Sequence, residues 1–304
     1  MAPPTATGTI AAMTLNRRPV DAEPPSIERQ ATRVRVTAFR AGTFEARDDR
    51  LSGEEPLAIR AAGPGQEPVD VAVTMRTPGH EAELAAGFLR TEGLVADAET
   101  IDGFTYADPA TSSRPDDEIT VHLARAFDPS TVATRHFVAT ASCGICGKAS
   151  LDEVEVRCDP IPVGPAVDPD TVIGLPGSLR DAQAVFEQTG GLHAAGLFTP
   201  DGRLVAVRED VGRHNALDKL VGSQLLAGAL PLHDRIVLVS GRASFELVQK
   251  AAVAGVPILA AVSAPSDLAV QAADRLGVTL VGFLRGDSFN IYAHPERVTP
   301  RPSG

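Results

Sequence analysis

Residues 256–262, Val-Pro-Ile-Leu-Ala-Ala-Val, form an apolar stretch typical of a buried strand. A helical pattern precedes this stretch, and another follows it between Ser266, a suitable helix cap, and Gly277, a suitable helix end. Apolar runs at 236–239 and 278–283 lie beyond these two helical patterns. Repeated strand-helix-strand units of this kind predict a mainly parallel sheet with helices packed against it.

The same alternation extends upstream of these units. An apolar run at 204–207 precedes a helical pattern that begins after Gly212. We therefore predict that residues 141–304 form a layered α/β domain.

The N-terminal half has a different pattern. Apolar residues alternate with polar ones in segments of 33–75, which predicts half-buried strands, and Thr77-Pro78-Gly79 then ends the sheet before a short amphipathic helix pattern. Further strands are predicted at 118–123 and 135–139. We therefore predict a smaller α+β domain over residues 33–140.

The composition of the 304 residues narrows the class of partner. A formal net charge of -11 argues against a general nucleic-acid-binding surface, and residues 251–262, interrupted by Gly255 and Pro257, are too short to cross a bilayer. Residues 1–32 are rich in Pro, Ala and Thr, which predicts a disordered arm, and they lack the pattern of a secretory signal. We therefore expect a cytoplasmic protein with reduced cysteines, and neither nucleic acid nor a membrane as its partner.

Two of the three cysteines stand three positions apart in residues 142–147, Ser-Cys-Gly-Ile-Cys-Gly. Thiols at this spacing can meet each other or one shared atom, and Lys148 is the nearest cation that would favour a thiolate. The pattern therefore indicates a redox or sulfur-handling loop built on Cys143 and Cys146.

Other interpretations of this loop stay open. A structural zinc site needs four ligands, for which the chain offers Cys158 and isolated histidines such as His136. A thioredoxin-like dithiol would begin a helix, which the two glycines of the loop disfavour, and the thiols could also have no special role. Haem attachment is excluded because Gly147 follows the second cysteine where a histidine would be needed.

Three short polar loops follow the last predicted strands. They are Ser-Gly-Arg at 240–242, Ser-Ala-Pro-Ser at 263–266 and Arg-Gly-Asp-Ser at 285–288. Since the carboxyl ends of parallel strands share an edge, where α/β proteins bind ligands, we expect these loops to lie together. Arginine suits phosphate, and two of the loops open helices whose N–H groups favour anions, so we predict a nucleotide-phosphate site. Ordinary turn chemistry is the alternative, because Ser, Gly and Pro are common in such loops.

Two histidines occur in glycine-rich settings. His193 follows Gly190-Gly191, and His214 stands with Asp210 and Arg213 where a helix is predicted to begin. Histidines are often structural, but a cluster of this kind suits proton transfer or contacts with an anion. We expect both histidines to line the same cleft.

The residues described so far resemble the FdhD family of formate dehydrogenase accessory sulfurtransferases. The segments that carry the resemblance are 142–147, 209–214, 216–219, 240–244, 248–250, 261–264 and 291–297. The resemblance runs from about residue 33 to the end of the chain and leaves Cys158 unmatched.

The resemblance implies that Cys143 carries sulfur as a persulfide received from a cysteine desulfurase. The sulfur then passes to the molybdenum cofactor, as bis-molybdopterin guanine dinucleotide bound as substrate, before this cofactor enters formate dehydrogenase. We expect Cys146 to assist, because a neighbouring thiol can attack a persulfide. The segment implied to contact the cofactor is Phe283, Leu284, Arg285, Gly286, Asp287 and Ser288. The further contacts that we expect are His193, Asp210, His214 and Ser263.

The resemblance also implies a fold. It comprises a C-terminal three-layer α/β domain similar to the cytidine deaminase fold and a smaller N-terminal α+β domain. We expect no permanently bound metal, and we leave the oligomeric state open, with a homodimer as one expectation.

Two other functions compete with sulfur transfer. A zinc-dependent deaminase-like hydrolase would carry His-x-Glu upstream of Pro-Cys-x-x-Cys, whereas here Ser142 precedes the cysteine pair and His294-Pro-Glu296 lies far downstream. A non-catalytic chaperone would only hold the molybdenum cofactor for its client protein.

Overall fold

The computed structural model describes residues 27–110, 112, 114–128, 159–162 and 164–300. The strands in these residues are β1 Ala31–Arg40, β2 Thr43–Ser52, β3 Glu55–Ala62, β4 Val69–Arg76, β5 Ile101–Tyr106, β6 Glu118–Leu123, β7 His193–Phe198, β8 Leu204–Asp210, β9 Ile236–Val239, β10 Ile258–Ala261, β11 Thr279–Arg285 and β12 Ser288–Ala293. The α-helices are α1 Ile27–Gln30, α2 Glu81–Thr91, α3 Pro169–Asp181, α4 Ala184–Thr189, α5 Arg213–Leu226, α6 Phe245–Val253 and α7 Asp267–Leu276. Short 3-10 helices lie at Ala98–Thr100, Pro115–Asp117 and Pro295–Arg297.

The C-terminal half is built on a six-stranded sheet in the order β12-β11-β10-β9-β7-β8. Strands β9, β10 and β11 are parallel, but β7 runs antiparallel to both β8 and β9, and β12 runs antiparallel to β11. The prediction of a mainly parallel sheet is therefore wrong, and the sheet is mixed. The reason is that β7 and β8, like β11 and β12, are joined by short turns, whereas a parallel pair needs a long crossover connection.

Helices cover both faces of this sheet. On one face, Leu217 of α5 and Leu247 of α6 are fully buried in a core that also includes residues of α7. On the other face, Leu175 and Leu179 of α3 pack in a core with Phe198 of β7. Each such buried side chain contributes about 1.5–3 kcal/mol through removal of apolar surface from water. The predicted layered α/β fold is confirmed, while its likeness to the cytidine deaminase fold stays a prediction.

The N-terminal half contains a four-stranded sheet in the order β4-β3-β6-β5. Its apolar face packs on α2, with Leu57, Ile119 and Leu84 fully buried in the core that the sheet and helix share. Strands β1 and β2 form a separate hairpin, and β1 begins at Ala31, inside the range that we assigned to the arm. The predicted strand at 135–139 and the predicted domain boundary lie outside the described residues.

Helix α2 also packs against α5, and two glycines bring the helix backbones into contact. A Cβ atom at Gly222 of α5 would lie 1.8 Å from the carbonyl oxygen of Glu83 in α2, and one at Gly87 of α2 would lie 1.8 Å from that of Asp218 in α5. No side-chain atom fits at these distances. The contact that joins the two halves therefore requires glycine in both helices.

A buried ion pair stabilises the same junction. The Lys219 ammonium lies 2.7 Å from Oδ2 of Asp210, with both side chains 0% exposed. Lys219 also donates to the Thr77 carbonyl at 2.8 Å, and Asp210 accepts hydrogen bonds from the backbone N–H groups of Thr77 and Gly212 and from the Asn215 amide. The pair thus connects the loop after β4 to the turn between β8 and α5.

A second buried pair connects three helices. Lys250 of α6 lies 2.8 Å from Asp218 of α5, and Thr91 of α2 donates to the same carboxylate at 2.8 Å. Burial alone would lower the pKa of Lys250, but the charges of Asp218 and Glu92 outweigh it and raise that pKa. Lys250 is therefore an ammonium. Burial raises the pKa of Asp218, whereas the Lys250 ammonium and the Thr91 hydroxyl favour its carboxylate form.

We predict that Gly222→Ala destabilises the protein by about 3 kcal/mol, because the added methyl group would overlap the α2 backbone and force the helices apart. Gly174→Ala in α3 is the matched control, since a Cβ atom there has nothing within 4 Å. The control should be neutral or slightly stabilising, because alanine favours helix more than glycine does. Urea unfolding measures both free energies, and equal values for the two variants would contradict the close contact.

We predict that Lys219→Met costs about 3–5 kcal/mol of unfolding free energy, because it leaves the buried Asp210 carboxylate without its counter-charge. Arg35→Met is the control, since Arg35 and Asp48 form an exposed ion pair. An exposed pair contributes only about 0–1 kcal/mol. Thermal or urea unfolding would contradict the prediction if both variants lost the same small amount.

Candidate functional site

Three predicted ligand loops meet at one edge of the six-stranded sheet. Ser240 and Ala194 exchange two hydrogen bonds of 2.9 Å, one of them through the serine hydroxyl. The Ser263 N–H donates to the Gly241 carbonyl at 3.4 Å, and the Phe283 N–H donates to the Ser263 carbonyl at 3.1 Å. These bonds connect the ends of β7, β9, β10 and β11 in one row.

The Phe283–Ser288 segment is a β-hairpin at one end of this row. Strand β11 runs to Arg285, two residues past the predicted strand end at Phe283, and Arg285 pairs with Ser288 across the turn of Gly286 and Asp287. Phe283 has a φ of 53°, a left-handed conformation that costs an aromatic residue about 1–3 kcal/mol.

The side chains of this hairpin have different access to solvent. Leu284 is fully buried, so only its backbone can contact a ligand. The exposed Arg285 guanidinium carbon lies 5.6 Å from the ring centroid of Phe283, within range of a cation–π contact. Arg285 and Phe283 thus offer a cation and an aromatic face at the open edge.

His193 and Arg213 meet beside the Ser240–Arg242 turn. A Cβ atom at Gly241 would lie 3.3 Å from Nδ1 of His193 and 3.8 Å from Cδ of Arg213, so the glycine allows both side chains to approach the turn. Burial and the nearby charges of Arg213 and His214 lower the pKa of His193. The neutral imidazole is therefore its main form near pH 7.

His214 is held by two residues at the start of α6 that the sequence analysis did not assign to the site. Its Nε2 atom lies 2.9 Å from a Glu246 carboxylate oxygen and 3.2 Å from the Ser244 hydroxyl. The hydrogen bond to His214 holds the pKa of Glu246 below its usual value. Ser244 occupies the N-cap position of α6 but makes no capping hydrogen bond with its side chain. The only sequence signal was its place in the 240–244 segment of the family resemblance.

Asp210 lies in a more buried environment than the histidines predicted as ligand contacts. Its carboxylate is fully buried and accepts the hydrogen bonds described above, which fix the turn that carries Arg213 and His214. A direct contact between Asp210 and the ligand stays a prediction. These bonds assign Asp210 a positioning role at the junction.

A cavity of about 530 Å³ opens beside His193. The residues that line it are Pro176, Leu179, Arg180, Gln183, Phe186, Gly190, Gly191, Leu192, His193, Ser240 and Val262. The Arg180 guanidinium carbon lies 4.2 Å from the Phe186 ring centroid. Glu209 fixes the start of α4 here by accepting the N–H groups of Val185 and Phe186. Sequence reasoning missed Arg180, Gln183 and Phe186, because α3 and α4 lie far from the predicted loops along the chain.

The predicted sulfur-handling residues Cys143 and Cys146 lie outside the described residues, as do Lys148 and Cys158.

Among the residues that the structure does describe, no group of three or more His, Cys, Asp and Glu side chains could hold a metal ion. His294 and Glu296 bond to each other at 2.9 Å, and His294 also bonds to the Asp274 carbonyl. In the same described part of the chain, no helix is both long and apolar enough to span a membrane.

Comparisons with known proteins identify close relatives of this chain. It is 49% identical over 281 residues to the sulfur carrier protein FdhD of Streptomyces avermitilis, covering 90% of this chain and 97% of that protein. It is 44% identical over 272 residues to the protein of the same name from Thermoplasma acidophilum, covering 89% of this chain and 94% of the relative.

A solved structure agrees with these relatives. The crystal structure of a putative formate dehydrogenase accessory protein from Desulfotalea psychrophila superposes with a TM-score of 0.70 at 26% identity, covering 89% of this chain and 100% of that one. The model of the FdhD/NarQ family matches residues 52–299, which include the Cys-Gly-Ile-Cys loop and the whole strand-end edge. The chain therefore belongs to the FdhD/NarQ family.

Proposed function

We propose that this protein is a sulfur carrier that supplies sulfur to the molybdenum cofactor of a formate dehydrogenase. The observation that carries the proposal is the combination, in one chain, of the Cys-Gly-Ile-Cys loop with a cationic ligand-binding edge. Relatives that are nearly half identical over most of the chain are named sulfur carrier proteins, and the solved structural relative is described as a formate dehydrogenase accessory protein.

The proposed first step is sulfur transfer to Cys143. Its thiolate attacks the terminal sulfur of a persulfide on a cysteine desulfurase, a new S–S bond forms on Cys143, and the desulfurase cysteine leaves as a thiolate. The step consumes no external oxidant or reductant. Cys146 assists by attacking the inner sulfur of the Cys143 persulfide, which forms a Cys143–Cys146 disulfide while the outer sulfur leaves as hydrosulfide. A thiol reductant then reduces this disulfide and restores both cysteines.

The proposed second step brings the sulfur to the molybdenum cofactor, which is bound as substrate at the strand-end edge. The chain as a whole carries a net charge of -11, whereas the edge exposes Arg242 and Arg285 and has Arg213 and His193 beside Gly241. Arg285 suits the phosphates of a guanine dinucleotide end, and the Phe283 ring suits its planar base. A few cations in an otherwise acidic protein favour a small anionic ligand. The surrounding negative charge would repel a large polyanionic partner such as nucleic acid.

We predict that Cys143→Ala abolishes sulfur loading, because alanine cannot form a persulfide. The full chain would be incubated with a cysteine desulfurase and free cysteine, and mass spectrometry of peptides would locate any added sulfur. Cys146→Ala should reduce loading less, and Cys158→Ala is the control that should load normally. Normal loading of Cys143→Ala would contradict the assignment of Cys143 as the sulfur carrier. Loss of loading only in Cys146→Ala would mean that Cys146 is the carrier and Cys143 the assisting thiol.

We predict that Arg285→Ala weakens binding of guanosine diphosphate, used as a cofactor fragment, by about one to two orders of magnitude. The reason is the loss of a charge-assisted hydrogen bond of about 1.5–3 kcal/mol. Calorimetric titration measures the affinity, and sulfur loading on Cys143 should persist. Arg203→Ala is the control, since Arg203 is an exposed arginine at the opposite edge of the sheet. Unchanged affinity would place the nucleotide elsewhere, and a simultaneous loss of loading would show that binding and loading are not separable.

A further inference from the structure

The β1–β2 hairpin extends away from both larger sheets of the molecule. Neither of its strands pairs with a strand of the four-stranded or the six-stranded sheet. Its base packs on α4, where the Arg50 guanidinium donates a hydrogen bond to the Gln188 side chain. The two strands are joined by Ala41 and Gly42, whose φ angles of 48° and 87° match a type I′ turn. This turn fixes the pairing of the strands up to the tip.

Two aromatic side chains are exposed at the tip of this hairpin. Phe39 and Phe44 are 63% and 77% exposed, and their ring centroids lie 5.0 Å apart across the strands. They are the only exposed phenylalanines in the part of the chain that the structure describes. An exposed aromatic pair leaves most of its apolar surface in water, so a partner that covers both rings would gain affinity from their burial.

The exposed rings lie on the face of the hairpin that meets α4 at its base. Side chains alternate between the two faces of a strand, so the pairing places Phe39 and Phe44 on the same face as Arg33 and Arg50. We call it the aromatic face, and it comprises residues 33, 35, 37, 39, 44, 46, 48 and 50. Since Arg50 contacts α4, the aromatic face continues from the body of the protein out to the unpartnered tip.

The aromatic face also carries a like-charge pair near its base. Arg33 and Arg50 lie directly opposite each other in the two strands, an arrangement that destabilises a strand pair. Arg33 is exposed, and no ion pair or hydrogen bond of its guanidinium occurs among the described residues. Residues 31–52 contain five arginines and three acidic residues, in a chain whose net charge is -11. An anionic group on a partner would relieve the repulsion between the two arginines.

The base of the hairpin borders the cavity beside His193. A Cβ atom at Gly191, which lines the cavity, would lie 2.9 Å from the Ser52 hydroxyl at the end of β2. Along β2, Phe44 is about 27 Å from Ser52 at a rise of about 3.4 Å per residue. An interface of ordinary size covers about 800 Å² on each partner, which corresponds to a round patch about 32 Å across. A protein that docks over the cavity mouth can therefore contact the tip of the hairpin as well.

We propose that the aromatic face is the docking surface for the client formate dehydrogenase in its cofactor-free form. The Phe39–Phe44 pair enters an apolar cleft of the client, and a client carboxylate lies beside Arg33 and Arg50. The inference rests on the proposed function, because the client must approach the side of the molecule from which the cofactor is released. A second copy of this chain on the same face would cover that side and block the transfer.

Affinity measurements between the full chain and the cofactor-free client test this surface. The double variant Phe39→Ser with Phe44→Ser should weaken association about 30-fold, as the loss of an interface hot spot does. Leu51→Ser is the matched control, because Leu51 is 52% exposed on the opposite face of the same hairpin. The control should bind the client like the wild-type chain. Light scattering gives the oligomeric state of every variant.

Arg33→Glu separates docking from the stability of the hairpin. The new carboxylate lies opposite Arg50, so it should stabilise the strand pair while it repels the anionic group of the client. Client affinity should therefore fall about tenfold although the hairpin is intact. Arg40→Glu is the control, since it makes the same change of charge at an exposed position on the opposite face. Equal losses in Arg33→Glu and Arg40→Glu would contradict a contact specific to the aromatic face.

The outcomes separate the docking surface from the function on which it rests. Wild-type client affinity in the aromatic double variant and in Arg33→Glu, or no association of the wild-type chain with the client, would overturn the surface. Normal loading of Cys143 and normal binding of guanosine diphosphate would then leave the proposed function intact. A lower molecular mass of the double variant would show that the face holds a second copy, and would also overturn the proposal.

The converse result is distinguishable too. A wild-type chain that associates with the client through the aromatic face, but neither loads Cys143 nor binds guanosine diphosphate, would contradict the proposed function. The docking surface would stand in that case, because the affinities of the hairpin variants measure it without sulfur or cofactor.

Discussion

The buried ion pair of Asp210 and Lys219 is the interaction on which the rest of the structure depends. Burying either charge alone would cost several kcal/mol, so each must find its counter-charge and further hydrogen bonds inside the protein. Those bonds come from Thr77 in one half and from the turn before α5 in the other. This electrostatic requirement therefore holds the two sheets together at the start of the strand-end edge. The contact of Gly87 with Gly222 extends the same junction.

This junction explains why the edge can hold cations close together. Arg213 and His214 begin α5, the helix that also carries Lys219, so the bonds of Asp210 fix where those two side chains lie. His214 bonds to the Glu246 carboxylate, while burial and the charges of its neighbours lower the pKa of His193 and keep it mainly neutral. The edge therefore carries its positive charge on Arg213, Arg242 and Arg285, in a protein that is acidic as a whole. This arrangement suits a small anionic ligand.

Two departures from ordinary secondary-structure rules lie at this edge. Ser244 stands where it would cap α6, yet its hydroxyl contacts His214 instead. Phe283 adopts a left-handed backbone that few aromatic residues tolerate. Such departures persist only where the surrounding structure supplies the stability, and they cluster at functional sites. Their position next to the predicted ligand loops supports the choice of this edge.

The sequence by itself predicted the layered α/β class, the loops that meet at the edge, strands β1, β3, β4, β6 and β8 to β11, and helices α2, α5, α6 and α7, because apolar periodicity and helix-end residues are local signals. It also marked Cys143 and Cys146, since two thiols between glycines are conspicuous without any fold. It did not predict β2, β5, β7, β12, α3 or α4. Only the tertiary structure decided that the sheet is mixed, that Asp210 is buried with Lys219, and that Gln183 and Arg180 line the cavity. Those facts depend on strand pairing and on contacts between residues far apart in the chain, which local periodicity does not encode.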